Sequence, residues 1–220
     1  MGPPPMVTTT RTRIALSASC AAALALAMPI VEASPARAAD TITAAEQPYF
    51  AYYHLDQARA KGYTGKGVTV AIIDGPVDVS RPELTGASIS DKSPCPISPS
   101  DDSRRHGTEV ASLLVARGYG VAPDVTLNSY QTVTSGSAAE SSCKDSAVIY
   151  KHASLINHAI NDGAQIVNIS ITSKDRDASL KWAMARAMAS GTIIVAGMGN
   201  NASDNDSGSL ATWSGVVGVS

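Results

Sequence analysis

Short apolar runs alternate with longer segments of helical periodicity along most of the chain. Five segments, most of them rich in Val and Ile, are predicted to be strands: 68–73, 125–133, 166–171, 192–195 and 216–219. The first of them is nearly continuously apolar, which is typical of a strand buried on both faces of a parallel sheet. Four segments are predicted to be helices: 55–60, 106–116, 148–162 and 178–189. This alternation indicates an α/β fold, a mostly parallel sheet flanked by helices.

The N-terminus has the pattern of an export signal. Arg11 and Arg13 precede an apolar run over 14–28, and the small-residue sequence Ala36-Arg37-Ala38 follows. This order of a basic region, a short apolar region and an A-x-A site is typical of a cleaved signal peptide. The run is shorter than the roughly 20 residues that a membrane span needs. The alternative to a signal peptide is a buried Ala-rich helix.

We therefore predict three regions: a signal peptide (1–38), an N-terminal segment (39–63) and a folded domain (64–220). The mature chain is expected to be secreted, without membrane attachment, and monomeric. Lys and Arg number 17 and Asp and Glu 19, for a net charge of −2. This balance gives no reason to expect a nucleic-acid partner.

Two cysteines, Cys95 and Cys143, remain after residue 38, and they lie in segments predicted to be polar loops, 88–105 and 135–145. An exported protein with two cysteines usually pairs them, so a disulfide is predicted, with two free thiols as the alternative. A cysteine pair without nearby histidines does not form a metal site.

Three polar residues fall where a parallel sheet usually places its functional groups, beyond the carboxyl ends of strands. Asp74 ends the first predicted strand, His106 opens a predicted helix, and Asn200 follows the strand 192–195. Each has an ordinary explanation by itself: a turn residue, a surface or capping histidine, and an asparagine in a Gly-rich loop. Together they can converge on one cleft.

Longer segments around these residues carry a family resemblance. They are GKGVTVAIIDGPVDVSRPEL (65–84), HGTEVASLL (106–114), GVAPDVTL (120–127), AINDGAQIVNISI (159–171) and GTIIVAGMGNN (191–201). In this order and rough spacing, the chain resembles the N-terminal part of the subtilisin-like serine peptidases, or subtilases. The resemblance extends from about residue 55 to residue 220.

The resemblance implies a role for each matching residue. Asp74 would accept the Nδ1–H of the imidazole and fix its tautomer, and His106 would take the proton of a serine hydroxyl. Asn200 would donate to the oxyanion that forms on the scissile carbonyl. Ser170 and Ile171 match the strand that pairs with an extended peptide substrate. The implied partner is therefore a peptide or protein substrate.

The sequence also departs from the family pattern. Gly75 and Pro76 stand where Ser or Thr and then Gly are usual, Thr172 stands in place of Gly, and Glu109 in place of His. The nucleophile's Gly-Thr-Ser-x-Ala segment is absent, because both Gly-Thr pairs, 107–108 and 191–192, continue without Ser.

These features predict a secreted serine endopeptidase that acts through an Asp/His/Ser triad and an acyl-enzyme, with the Ser missing from this chain. The 220 residues alone are then expected to be inactive. The alternative is a catalytically dead, truncated subtilase that binds peptides.

The chemistry implied by the resemblance requires no cofactor or catalytic metal. Structural calcium, which many subtilases bind, is compatible with Asp204 and Asp206, although the spacing assigns no ligands. The sequence 197–202 matches G-x-G-x-x-A, but a polar loop follows it instead of the helix that a dinucleotide site needs.

Overall fold

The computed structural model describes Gly2 and residues 41–219, except 96, 135–136, 140–150, 173–175 and 200–208. The chain divides into two units, Met1–Ala38 and Ala39–Ser220, and every element below belongs to the second. Apart from Gly2, the predicted signal peptide lies outside the described residues. The division predicted at residue 63 stays a prediction.

Six parallel strands form the main sheet. They are β1 (Thr69–Asp74), β2 (Ser88–Asp91), β4 (Thr126–Gln131), β6 (Ile166–Ile169), β7 (Ile193–Gly197) and β8 (Val216–Val219). Their spatial order is β2-β4-β1-β6-β7-β8. Two short strands, β3 (Ile97–Ser98) and β5 (Ala138–Ala139), pair antiparallel apart from it. The predicted α/β fold with a mostly parallel sheet is confirmed.

The helices of the described chain vary from one turn to four. They are α1 (Pro48–Tyr52), α2 (Leu55–Ala60), α3 (Asp101–Val115), α4 (His152–Asn161) and α5 (Ala178–Ala189). Short 3₁₀ turns occur at Ala44–Glu46, Pro82–Leu84 and Leu210–Thr212. In this part of the chain, no helix combines the length and apolar character needed to cross a membrane.

Strand β1 lies inside the sheet and is covered on both faces. Ala71 and Ile73 belong to a buried cluster with side chains of α4 and α5. Val70 and Ile72 point to the other face and pack with Ala111 and Val115 of α3. Helices therefore bury both faces of this strand, which explains why its sequence is apolar at consecutive positions.

The prediction of a loop over residues 88–105 is wrong at both ends of that segment. Residues Ser88–Asp91 form β2 at one edge of the sheet, and their largely exposed, polar character hid the strand pattern. Helix α3 begins at Asp101, where Ser100 accepts a hydrogen bond from the Ser103 N–H as N-cap. His106 therefore lies in the second turn of α3 and does not open it.

Cys95 is disulfide-bonded and buried, so the free-thiol alternative is wrong for this residue. Its predicted partner, Cys143, lies outside the described residues. The pairing of these two cysteines stays a prediction.

Candidate active site

The strand register brings the candidate segments together at the carboxyl ends of the strands. Ile73 of β1 is paired with Ile169 of β6, so the next residues, Asp74 and Ser170, both follow that pair. Ile169 is in turn paired with Ala196 of β7. The carboxyl ends of three neighbouring strands therefore meet here, as expected for a functional site in a parallel sheet. Asn200, which follows β7, lies outside the described residues.

The carboxyl end of β1 and helix α3 bring Asp74 and His106 into direct contact. His106 Nδ1 lies 2.7 Å from Asp74 Oδ1. The Asp74 side chain is 1% exposed, whereas that of His106 is 49% exposed. An ionised carboxylate can only accept hydrogen bonds, so Nδ1 donates and a neutral ring leaves Nε2 as the acceptor. A buried acid thus fixes the tautomer of a base that solvent and ligands can reach.

The hydrogen bonds to the Asp74 carboxylate are unequally divided between its two oxygens. Oδ1 accepts from both His106 and the Gly75 N–H, the latter at 2.6 Å. Oδ2 is buried and has no hydrogen-bond partner among the described residues. Burial raises the pKa of Asp74, while the hydrogen bonds from His106 and Gly75 and the charge of His106 oppose that rise.

We expect Asp74→Asn to raise the Tm of the folded chain at about pH 8. Because the pKa of Asp74 is higher in the folded state, folded protein binds this proton more tightly than unfolded protein does. The ionised form therefore costs stability above the folded pKa, and that cost disappears as the pH falls below the unfolded pKa. Thermal unfolding followed by circular dichroism should show the gain at about pH 8 and its decline towards about pH 4.

Asp78→Asn provides a control of opposite sign. Hydrogen bonds from the Ser80 side chain and N–H lower the pKa of this carboxylate, so its charge contributes stability at neutral pH. This variant should show no gain in Tm at the higher pH. A Tm of Asp74→Asn at or below that of the parent at about pH 8 would contradict the dominance of burial at this site.

Two glycines allow α3 to approach the end of β1 closely. A Cβ on Gly107 would lie 2.3 Å from the Gly75 carbonyl oxygen, and a Cβ on Gly75 would lie 2.0 Å from the Ser103 carbonyl oxygen. Real Cβ atoms do not approach other atoms so closely. Glycine at position 75, where Ser or Thr is usual in the family pattern, is therefore required by the way α3 packs in this chain.

Thr108 connects the same helix to the loop that follows Asp74. Its Oγ1 accepts from the Asp78 N–H at 2.9 Å and donates to the Arg104 carbonyl at 2.7 Å. The loop 75–78 is thus held along α3 by one side chain and by two glycine contacts. His106 is positioned by the helix that makes these contacts.

Ser170 and Ile171 lie immediately beyond β6, which ends at Ile169, two residues before the predicted end of that strand. Both residues are half-buried, and Ser170 Oγ accepts a hydrogen bond from Asn168 Nδ2 at 2.8 Å. Of the residues that depart from the family pattern, Thr172 and Glu109 are both exposed. These positions are compatible with the predicted peptide-pairing strand, which stays a prediction.

Sequence reasoning missed Ser103 and Thr134, which contact each other beside the Asp–His pair. Thr134 Oγ1 donates to Ser103 Oγ at 2.7 Å, and Ser103 is buried. The start of α3 had a sequence signal, since Ser100 precedes two acidic residues, a common pattern at helix N-termini. Thr134 had none, because its contact depends on the tertiary fold.

No group of three or more His, Cys, Asp or Glu side chains in the described part of the chain is placed to hold a metal ion. Asp204 and Asp206, the residues compatible with calcium, lie outside that part.

Residues 65–220 match the family model described as the subtilase family. Subtilisin E of Bacillus subtilis is 29% identical over 170 residues, covering 73% of this chain and 42% of that protein. The minor extracellular protease Vpr of the same species is 32% identical over 166 residues, covering 68% of this chain and 20% of Vpr. The chain thus spans less than half the length of either relative.

Two solved structures are similar to this chain in fold. MycP1 from Mycobacterium smegmatis is 27% identical with a TM-score of 0.55, covering 76% of this chain and 48% of that one. The prenylagaramide maturation protease PagA has a TM-score of 0.56 at 22% identity, covering 74% of this chain and 57% of that one. At this low identity, the similarity to PagA supports the fold alone.

Proposed function

This chain belongs to the subtilase family, and from that premise we propose that it supplies the Asp–His part of a secreted serine endopeptidase. The observation that carries the proposal is the 2.7 Å contact between a buried carboxylate and a half-exposed imidazole. A histidine oriented in this way has its Nε2 available to act as a general base.

In the proposed reaction, His106 Nε2 removes the proton of a serine hydroxyl as the oxygen attacks the scissile carbonyl. Asp74 holds the imidazole in this tautomer and stabilises the imidazolium that forms. The Asn200 side chain is proposed to donate to the oxyanion. His106 then returns the proton to the leaving amine, and water hydrolyses the acyl-enzyme by the same base.

The serine nucleophile is proposed to lie in polypeptide beyond these 220 residues. The sequence contains no Gly-Thr-Ser-x-Ala segment, and its two Gly-Thr pairs are followed by Glu109 and Ile193. An oriented base without its nucleophile retains almost none of the covalent chemistry. We therefore expect the 220-residue chain to have no peptidase activity when it is isolated.

Secretion is the second part of the proposal. It is supported by the signal-like pattern of residues 1–38 and by the relationship to Vpr, which is named as an extracellular protease.

One labelling experiment tests both parts. The coding DNA is read past codon 220, and the full reading frame and the 220-residue chain are expressed separately and exposed to a serine-directed fluorophosphonate. We expect covalent labelling of the longer product at one Ser of a Gly-Thr-Ser-x-Ala segment, and none of the shorter chain. The labelled product should be recovered from the medium with an N-terminus beyond Ala38.

Labelling of the 220-residue chain at a single Ser, with measurable turnover, would overturn the proposal for the nucleophile. An intact Met1 on protein from the medium would overturn the cleaved signal. A stop codon directly after Ser220 would instead favour the second candidate, a non-catalytic peptide-binding module, because the absence of the nucleophile segment is the observation that suggests it. That candidate requires measurable binding of an extended peptide by the isolated chain.

A further inference from the structure

The space beside Asp74 that a side chain at residue 75 would fill is occupied by Ser103. A Cβ built on Gly75 would lie 2.0 Å from the Ser103 carbonyl oxygen and 2.5 Å from its Oγ. Ser103 is buried and lies in the first turn of α3, three residues before His106. The missing side chain at residue 75 is thus matched by a serine from the helix that carries the histidine.

Ser103 is also connected to the loop that follows β4. Its Oγ accepts a hydrogen bond from Thr134 Oγ1 at 2.7 Å. Thr134 is held in turn by Ser137, whose Oγ accepts from the Thr134 N–H at 2.7 Å and donates to the Thr134 carbonyl at 2.9 Å. The Thr134 hydroxyl is therefore placed by a local turn before it reaches α3.

The same loop holds the Asp74 backbone. Gln131, at the end of β4, is paired with Asp74, and the Thr132 N–H donates to the Asp74 carbonyl at 2.9 Å. One short segment therefore contacts both Asp74 and the helix that carries His106. It fixes Asp74 through Thr132, and it fixes the first turn of α3 through Thr134 and Ser103.

We propose that Ser103 and Thr134 are positioning residues that seat α3 so that His106 Nδ1 meets Asp74 Oδ1. The imidazole needs such support because its side chain is half-exposed, and Asp74 Oδ1 is the hydrogen-bond partner that orients it. A small displacement of the first turn of α3 would lengthen this bond. The proposal rests on the proposed function, because it assigns these residues to the orientation of the catalytic base.

The test compares Thr134→Val, which keeps the shape and removes the hydroxyl, with Thr134→Ser, which keeps the hydroxyl. The probe is the downfield Nδ1–H resonance of His106 in the ¹⁵N-histidine-labelled 220-residue chain, assigned by its loss in Asp74→Asn. Exchange of this proton with water should be about tenfold faster in Thr134→Val, the scale of one neutral hydrogen bond. In Thr134→Ser it should match the parent.

Circular dichroism and Tm show whether each variant is folded. If Thr134→Val does not fold, Ser103→Ala, which removes the acceptor on α3, replaces it and is expected to show the same faster exchange. Parent-like exchange in a folded Thr134→Val or Ser103→Ala would overturn the positioning role. Equal acceleration in Thr134→Val and Thr134→Ser would overturn it as well, because the hydroxyl would then be irrelevant.

These outcomes are separate from failure of the proposed function. If no downfield resonance of the parent is lost in Asp74→Asn, the Asp–His pair itself is absent, and both proposals fail. If the resonance depends on Asp74 but is unaffected by removal of the Thr134 hydroxyl, only the positioning role fails.

Discussion

Asp74→Asn is expected to lower kcat for peptide hydrolysis by about 10⁴-fold in the full reading-frame product that is proposed to carry the nucleophile. An asparagine at this position can present its NH₂ to Nδ1 and thereby favour the tautomer that carries its proton on Nε2. A protonated Nε2 cannot accept the proton of the serine hydroxyl, although the geometry of the site is otherwise preserved. The measurement is kcat for a chromogenic peptide substrate at neutral pH. Thermal unfolding of each variant shows that the enzyme assayed is folded.

A double-mutant comparison shows whether this loss passes through His106. Residues that act as one catalytic unit are strongly non-additive, so Asp74→Asn combined with His106→Ala should be no slower than His106→Ala alone. Asp78→Asn, which changes a half-buried aspartate on the loop after Asp74, should retain the parent's kcat. A double mutant far slower than His106→Ala would contradict the proposal, because Asp74 would then act independently of the histidine.

The same substitution links activity to stability. Burial of Asp74 raises its pKa, so the charge that orients His106 costs stability at the pH where the base operates. Asp74→Asn should therefore be more stable at about pH 8 and nearly inactive, which is a trade-off common at catalytic sites.

The sheet could be predicted from the sequence where its strands are apolar. Strand β1 is apolar because it is buried on both faces. Strand β8 lies largely exposed at one edge of the sheet, but its sequence stays apolar, and it has the predicted bounds. Strand β2 was missed because it lies at the edge, where polar and exposed side chains replace the apolar pattern. The start of α3 was missed because its first turn is mostly polar and exposed, although Ser100 and two acids signalled an N-terminus.

The Asp–His pair was predictable through the resemblance of its flanking segments to the subtilases. The end of a buried strand at Asp74 and the His-Gly-Thr sequence at His106 were weak signals alone, and the structure brings the two side chains together. The contact of Gly75 with Ser103 and the hydrogen bond from Thr134 join segments distant in sequence, so no local pattern encodes them. The role assigned to Asn200 stays a prediction, since that residue lies outside the described chain.

Gly75→Ala is expected to lower the free energy of unfolding by about 3 kcal/mol, the upper end of the usual cost of overpacking. The backbone at Gly75 does not have a positive φ, so alanine meets no conformational penalty there. The cost comes from space alone, because the new methyl group would lie 2.0 Å from a backbone oxygen of α3, which cannot rotate away. Urea unfolding of the 220-residue chain measures the change as a lower midpoint.

Gly118→Ala is the matched control for this substitution. Gly118 also lacks a positive φ, and its nearest atom to an added Cβ is the Ile42 carbonyl oxygen at 3.6 Å, an ordinary contact. Its stability should change by less than about 1 kcal/mol, the scale of a tolerated glycine-to-alanine replacement. If Gly75→Ala is as stable as Gly118→Ala, α3 must be free to move away from β1. The close approach would then not be what holds His106 against Asp74.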